Sequence, residues 1–191
     1  MKYSSGFMGS FKLGDNIVHN LAILRVLFAS QAADLKAERL LRKPIIVLIG
    51  AIAEAILYDL YVIKIATFTR EGVPTIPKAT LDDIRNKTID EFAKYISHAR
   101  SKGLLGGNSK IYDDLDDLRK LRNRIHIQNT KQHFELDESK AFNRQRQKMA
   151  ERTLEELISY MVKNYIRSKG RQSVADFCLP WDSQLQSQTA G

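Results

Sequence analysis

Cysteine is almost absent from this sequence, since Cys178 is the only one among its 191 residues. An internal disulfide therefore cannot form, and metal clusters held by several thiolates are excluded. Disulfide-free chains are typical of reducing compartments. We accordingly expect a cytoplasmic protein.

Long hydrophobic runs are also missing. The most apolar segment, residues 44–66, is interrupted by Glu54, Asp59 and Lys64, and its longest charge-free run covers only residues 44–53. A helix needs about 20 apolar residues to cross a bilayer. The first residues, MKYSSGFMGSFKLGDN, lack the apolar run of a signal peptide. We therefore expect no membrane association and interpret residues 44–66 as a buried helix.

Metal and cofactor motifs are sparse as well. The chain has no glycine-rich phosphate loop, and three of its histidines are scattered without the spacing of ligands on a helix: His19, His98 and His133. The run DDLDD at residues 113–117 contains DDxxD, the magnesium motif of isoprenoid synthases, but those enzymes need a second acidic motif and a larger bundle. We interpret this run as a solvated acidic face and predict neither a metal nor a cofactor.

Positive charge is in excess. Lys and Arg number 30 against 22 Asp and Glu, which gives a net charge of +8. An excess of this size favours polyanionic partners such as nucleic acid. Residues 140–171 hold nine basic and three acidic residues, and such a helix face is usually just solvated.

Helical periodicity extends along almost the whole chain. It predicts helices at about residues 15–40, 44–66, 88–102, 110–128 and 138–168, and no strand. Five helices joined mostly by short loops indicate an all-α, up-and-down bundle with the second helix at its centre. Residues 1–170 then form a single domain. Residues 171–191 form a tail that Phe177, Leu179 and Trp181 partly strap to the body, with a disordered end.

The fourth predicted helix carries an unusual stretch, DLRKLRNRIHIQN, at residues 117–129. At about 100° per residue, one face of this helix collects the apolar residues Ile111, Leu115, Leu118, Leu121 and Ile125. Arg119, Arg122 and His126 are spaced i, i+3, i+7, so their side chains project into one strip beside that face. Lys120, Asn123 and Arg124 point further outward.

Two arginines beside a histidine gain nothing from each other, because like charges disfavour the charged imidazole. The cluster makes chemical sense if a phosphate visits it, since the guanidinium fork matches phosphate oxygens. A neutral imidazole could then accept the proton of a ribose 2′-hydroxyl, and the arginines would stabilise the phosphorane. That chemistry is metal-independent RNA cleavage. A structural alternative stays open, because helices often carry cations near their C-terminal end.

The segment LRKLRNRIHI resembles the signature of the HEPN superfamily, in which four to six residues separate an arginine from a histidine. Arg119 and His126 have six residues between them, whereas Arg122 and Asn123 resemble the family's arginine-plus-polar pair but leave only three before the histidine. Either arginine can thus be the motif residue. The apolar helix IVLIGAIAEAILYDL, with Glu54 embedded, is similar to the family's early core helix. Some toxin members carry a tyrosine two residues after the histidine, where this chain has Gln128.

The resemblance implies a helical bundle that commonly dimerises with two motif helices facing one cleft. It also implies a metal-independent endoribonuclease, a toxin or antiviral effector, with Arg119, Arg122 and His126 as catalytic residues. Asn123 and Glu54 would support them. A lone carboxylate in an apolar helix needs a partner, so Glu54 could hold an active-site arginine in position, and a plain structural hydrogen bond is an equally open alternative. The alternative is a non-catalytic HEPN-like module that binds RNA, a nucleotide or a protein partner.

Beside such a cluster, the basic residues become a candidate track for an RNA backbone. The predicted RNA-binding residues are Lys120, Arg124, Arg144, Arg146 and Lys148. An antitoxin or another acidic protein could use the same surface, and we expect a homodimer because two copies would supply both a general base and a general acid.

Overall fold

Helices make up most of the chain in the computed structural model, which describes residues 1–9, 11–64, 77–85, 91–126, 137–166 and 174–182. Within these ranges the helices are α1 (Phe11–Gln31), α2 (Leu35–Leu40), α3 (Arg42–Tyr58), α4 (Lys78–Arg85), α5 (Phe92–Lys102), α6 (Ser109–Asn123), α7 (Glu138–Ala141) and α8 (Arg144–Asn164). A π-helical turn, Asp59–Lys64, extends α3, and Ser5–Phe7 forms a 3-10 turn. The all-α class is confirmed.

Helix α3 lies at the centre, as its apolar sequence predicts. It packs against α1, α6 and α8, and Ile45, Ile49 and Ile56 are fully inaccessible to solvent. The stretch Arg42–Tyr61 is long and apolar enough to cross a membrane, but 61% of its most apolar window is buried inside the protein. An apolar helix packed in this way serves as the core helix of the bundle.

Asp and Asn side chains divide two of the predicted helices. The first helix begins at Phe11 and ends at Gln31, and Asp34 then caps α2 by accepting hydrogen bonds from the amides of Lys36 and Ala37 at 2.7 and 2.8 Å. Asn143 caps α8 in the same way, with a 2.9 Å bond from Arg146. Such caps satisfy the free amides of a new helix start. Both predicted helices were therefore too long.

Two short strands, β1 (Lys2–Tyr3) and β2 (Phe177–Cys178), pair antiparallel and join the two ends of the described chain. The prediction of no strand was wrong here, because two residues are too few to show an alternating pattern. Phe177 is 4% exposed and lies between Tyr3 and Phe7, with ring centroids 6.0 and 6.5 Å away. Leu179 is buried too, and Trp181 packs against Phe28 at 5.7 Å. The C-terminal segment 174–182 thus packs on the core.

We expect Phe177→Ala to lower the free energy of unfolding by about 3 kcal/mol, since it removes a buried ring and leaves a cavity. The matched control is Cys178→Ala on the same strand, where the side chain is exposed and a change within about 0.5 kcal/mol is expected. Urea unfolding followed by circular dichroism measures both. Equal effects of the two substitutions would contradict the packing of this segment on the core.

Candidate functional site

The most informative contact joins the centre of α3 to the end of α6. Arg122 Nη2 forms an ion pair with Glu54 Oε2, and Nη1 donates to Asn123 Oδ1 at 3.0 Å. The two charged side chains are 33% and 24% exposed. The structure thus brings together three predicted site residues, and Glu54 pairs with Arg122, which is one of the two roles open to it from the sequence.

The paired guanidinium still has binding capacity. An arginine carries five N–H donors, and within the described residues Arg122 uses two of them. The remaining donors belong to a partly exposed group whose orientation two acceptors already restrict. Such an arginine is pre-organised to bind an anion.

Gly50 makes this contact possible. A Cβ atom added at Gly50 would lie 2.8 Å from Cβ and 3.2 Å from Cγ of Arg122, closer than carbon atoms normally approach. The absent side chain therefore lets α6 lie directly against α3. The close approach places the base of the Arg122 side chain one turn before Glu54.

Arg119 has a different environment, although it lies one turn before Arg122. Its Nε donates to Asp116 Oδ1 at 2.8 Å, and its side chain is 19% exposed. Lys120 shares Asp116 and also contacts Asp117, at 2.9 and 3.2 Å. Hydrogen bonding to Asp116 raises the pKa of Lys120. Burial alone would raise the pKa of Asp116, but its hydrogen bonds with Lys120 and Arg119 lower it.

His126 lies beyond the end of α6 and not on it. The helix ends at Asn123. The next two amides bond to the carbonyl three residues earlier and not four, from Arg124 to Leu121 and from Ile125 to Arg122, both at 3.1 Å. The predicted i, i+3, i+7 alignment therefore does not extend to the histidine. Instead, His126 is exposed in the turn after the helix, and Gln128 lies outside the described residues.

The same helix end reverses two neighbouring predictions. Ile125, assigned to the buried stripe, is 56% exposed, whereas Arg124, assigned to the outer surface and to RNA binding, is 4% exposed. The physical reason is that the chain changes here from α-helical to 3-10-type hydrogen bonds, with fewer residues per turn. This change rotates the side chains of Arg124 and Ile125 relative to the helix. Arg124 as a surface contact for RNA is therefore wrong.

Arg124 is instead part of a structural cluster. Its Nη2 contacts Glu138 Oε1 at 2.9 Å, Lys43 binds the other carboxylate oxygen, and the guanidinium lies over the Phe142 ring at 5.8 Å. Burial alone would raise the pKa of Glu138, but the hydrogen bonds from Lys43 and Arg124 lower it. This cluster fixes the backbone two residues before His126.

The acidic run at the start of α6 pairs with cations of the protein. Asp113 contacts Arg100, Asp114 contacts Lys110, and Asp117 contacts Lys120. Among the described residues, no group of three or more His, Cys, Asp or Glu side chains is arranged to hold a metal ion. The DDxxD pattern is thus occupied by intramolecular ion pairs.

Of the three α8 residues predicted to bind RNA, one has a structural role instead. Arg146 donates to the carbonyls of Ala141 and Lys140 at 2.9 and 3.4 Å, so it caps the end of α7. Arg144 and Lys148 are exposed, and neither forms a hydrogen bond or ion pair with another described residue. Arg152, eight residues after Arg144 on the same side of α8, is also exposed and forms no hydrogen bond or ion pair with another described residue. Sequence reasoning missed Arg152, although four-residue spacing from Lys148 was its visible signal.

Comparison of the chain with protein-family models, with curated protein sequences and with solved structures gives no significant match.

We expect Gly50→Ala to destabilise the protein by about 1–3 kcal/mol, because the added methyl forces α3 and α6 apart. Alanine is the better helix former by about 1 kcal/mol, but the predicted overlap with Arg122 outweighs that gain. Thermal and urea unfolding measure the effect.

Gly107→Ala is the matched control, since an added Cβ there meets nothing within 4 Å. It should leave stability unchanged or slightly raised. A Gly50→Ala protein as stable as the control would refute the tight contact between the two helices.

Proposed function

We propose that this protein is a metal-independent endoribonuclease of HEPN type, acting as a toxin or antiviral effector. The observation that carries the proposal is the Glu54–Arg122–Asn123 arrangement, which combines a pre-organised guanidinium with an exposed histidine four residues later. The resemblance of LRKLRNRIHI to the family signature supports the same assignment.

The mechanism follows from the chemistry of these groups. His126 accepts the proton of a ribose 2′-hydroxyl, whose oxygen attacks the adjacent phosphorus. Arg122 binds the equatorial oxygens of the phosphorane as their negative charge grows. The 5′-oxygen leaves with a proton from a general acid, and the upstream fragment ends in a 2′,3′-cyclic phosphate. Both arginines are paired with a carboxylate, and Arg122 is favoured over Arg119 as the phosphate-binding arginine because it is 33% exposed against 19%.

A dimer completes this mechanism in the proposal, because one exposed histidine cannot be both base and acid in a single step. The uncovered face of α3 supports it. There, Val47, Ala51 and Ala55 are only half-buried beside Glu54, and Tyr58 is 40% exposed. Small half-buried side chains beside the site let a second copy approach closely. A two-fold axis would then bring the two Arg122–His126 sets into one cleft.

The second candidate is a non-catalytic module that binds RNA through the same surface. One observation favours it, namely that within the described residues no side chain forms a hydrogen bond with His126. Catalytic histidines are usually oriented by a partner that fixes the ring tautomer.

Incubation of the protein with mixed RNAs in excess EDTA distinguishes the two candidates. We expect cleavage without metal and 2′,3′-cyclic phosphate termini. His126→Ala should abolish it while leaving the melting temperature unchanged, since an exposed side chain contributes little to packing. His19→Ala is the matched control, because His19 is also exposed but lies on α1. RNA that binds in EDTA without being cut would favour the binding module, and a His126→Ala protein that still cuts would exclude the mechanism.

Substitution of Arg122 and of Arg119 should lower the cleavage rate by different amounts. Arg122→Ala should lower the cleavage rate by about 100-fold or more, as loss of a preorganised donor does, and Arg122→Lys should recover little because lysine lacks the donor fork. Arg119→Ala should lower it by less. A larger loss at Arg119 would instead assign the motif role to that arginine.

Light scattering tests the dimer, with a molecular mass of about twice 21.8 kDa expected at micromolar concentration. Ala51→Arg should convert it to a monomer and abolish cleavage, because a long charged side chain blocks the close approach. Its effect on folding is controlled by circular dichroism, since Ala51 is half-buried. A wild-type protein that is monomeric and fully active would contradict the shared cleft.

A further inference from the structure

A cavity of about 270 Å³ lies between the end of α1, α2 and the first turns of α8, apart from the site described above. Its lining includes Phe28, Gln31, Arg144, Gln147 and Glu151. It adjoins an open groove lined by Arg144, Lys148, Glu151 and Arg152. Pockets for drug-sized ligands measure about 300–1,000 Å³, so this cavity is sized for one small ring system.

A buried amide pair forms one wall of the cavity. Gln31 and Gln147, 8% and 7% exposed, donate to each other at 2.8 and 2.9 Å. Their remaining N–H groups donate to the Glu38 carbonyl at 3.0 Å and to Glu151 Oε1 at 2.9 Å. All four amide N–H groups are thus used, and the wall presents oxygen atoms to a ligand.

Glu151 supplies the charged acceptor. Glu38, the other carboxylate in the lining, is paired with Arg42 at 2.7 Å. Glu151 has one hydrogen bond, from Gln147, and no ion pair with a described residue. Burial raises the pKa of Glu151, which is the signature of a carboxylate that lacks enough donors. A ligand with two adjacent N–H groups would satisfy it.

The rim of the cavity carries positive charge and therefore favours a negatively charged ligand group. Arg144, Lys148 and Arg152 repeat every four residues, about 6 Å apart along the helix axis. They are exposed and form no ion pair within the described parts of the chain. A row of unpaired cations at this spacing suits the successive phosphates of an extended strand.

We propose that this cavity binds a guanine base whose phosphate lies on the Arg144–Lys148–Arg152 row. Guanine is the base that offers two adjacent N–H donors, N1–H and the N2 amino group, to one carboxylate. Phe28, of which 4% is exposed, supplies the apolar part of the lining that the edge of the base contacts. An acidic peptide would satisfy the cations but would place more negative charge against Glu151.

The guanine nucleotide can belong to an RNA strand or be free in solution. As part of a strand it selects the substrate of the proposed ribonuclease, and only this role rests on the proposed function. The lining of the cavity includes neither His126 nor Arg122.

Fluorescence anisotropy with uncleavable 2′-fluoro oligonucleotides tests the site in the wild-type protein. One probe is an oligouridine of about ten nucleotides, within the usual length of single-strand sites, and the other carries one central guanosine. We expect the guanosine probe to bind about tenfold more tightly, as a bidentate base contact provides. Glu151→Gln should remove this preference and retain oligouridine binding. Glu156→Gln, an exposed position on the same helix, is the matched control and should keep the preference.

The cation row has its own readout. Lys148→Ala should weaken both probes equally and reduce the slope of log Kd against log salt by about 0.7, the value for one phosphate contact to a single strand. Lys163→Ala, an exposed lysine near the other end of α8, should not. Guanosine monophosphate binding as tightly as the guanosine probe assigns the cavity to the free nucleotide, and weaker binding assigns it to a strand.

Equal affinity of wild-type protein for the two probes would overturn the proposal, and so would a guanosine preference that survives Glu151→Gln. Displacement of both probes by polyglutamate, without guanosine preference, would assign the basic row to an acidic protein segment. Cleavage in EDTA is scored separately. A wild-type enzyme that cuts RNA without guanosine preference refutes only the cavity, and a guanosine-binding protein that cuts nothing refutes only the ribonuclease.

Discussion

The close contact between α3 and α6 at Gly50 is the constraint on which the rest of this structure depends. Helix α3 is apolar on nearly every side, so most of its surface must pack against other helices, yet it carries Glu54 in its middle. A carboxylate in that position is costly unless it is paired. The missing side chain at Gly50 brings α6 close enough for Arg122 to provide the partner. One contact therefore packs the two helices together and compensates the charge of Glu54. The same contact fixes the orientation of the Arg122 guanidinium at the surface.

The basic residues of the motif stretch divide into different physical roles. Arg119 pairs with Asp116 on the helix surface, and Arg124 is buried against Glu138. Among the three arginines, Arg122 is the most exposed, at 33%, and it is held by Glu54. Because Arg124 is buried and would be left as an uncompensated charge without Glu138, the Arg124–Glu138 contact holds the turn that leads to His126. The anchored turn and the oriented arginine limit how far the two groups of the proposed ribonuclease can separate.

Positive charge is distributed unevenly between paired and unpaired groups. Cations near the acidic run of α6 have their field largely cancelled by neighbouring carboxylates. The row Arg144, Lys148 and Arg152 forms no ion pair among the described residues, although the carboxylates of Glu38 and Glu151 lie near its first two members. These three exposed cations therefore place positive charge along one face of α8. A field of this kind accelerates the approach of polyanions and loses strength as salt is added.

Periodicity and composition by themselves determined the all-α class and the central position of α3, and the cost of burying a lone carboxylate indicated that Glu54 needs a partner. These are properties of local pattern and of the cost of burying charge, and both can be read along the chain. The end of α6 was decided only by tertiary structure, since Glu138 and Phe142 draw Arg124 inward and rotate Ile125 and His126 off the helix. The cavity beside Glu151 was equally invisible, because its walls come from α1, α2 and α8, and a pattern along one segment carries no information about what packs across from it.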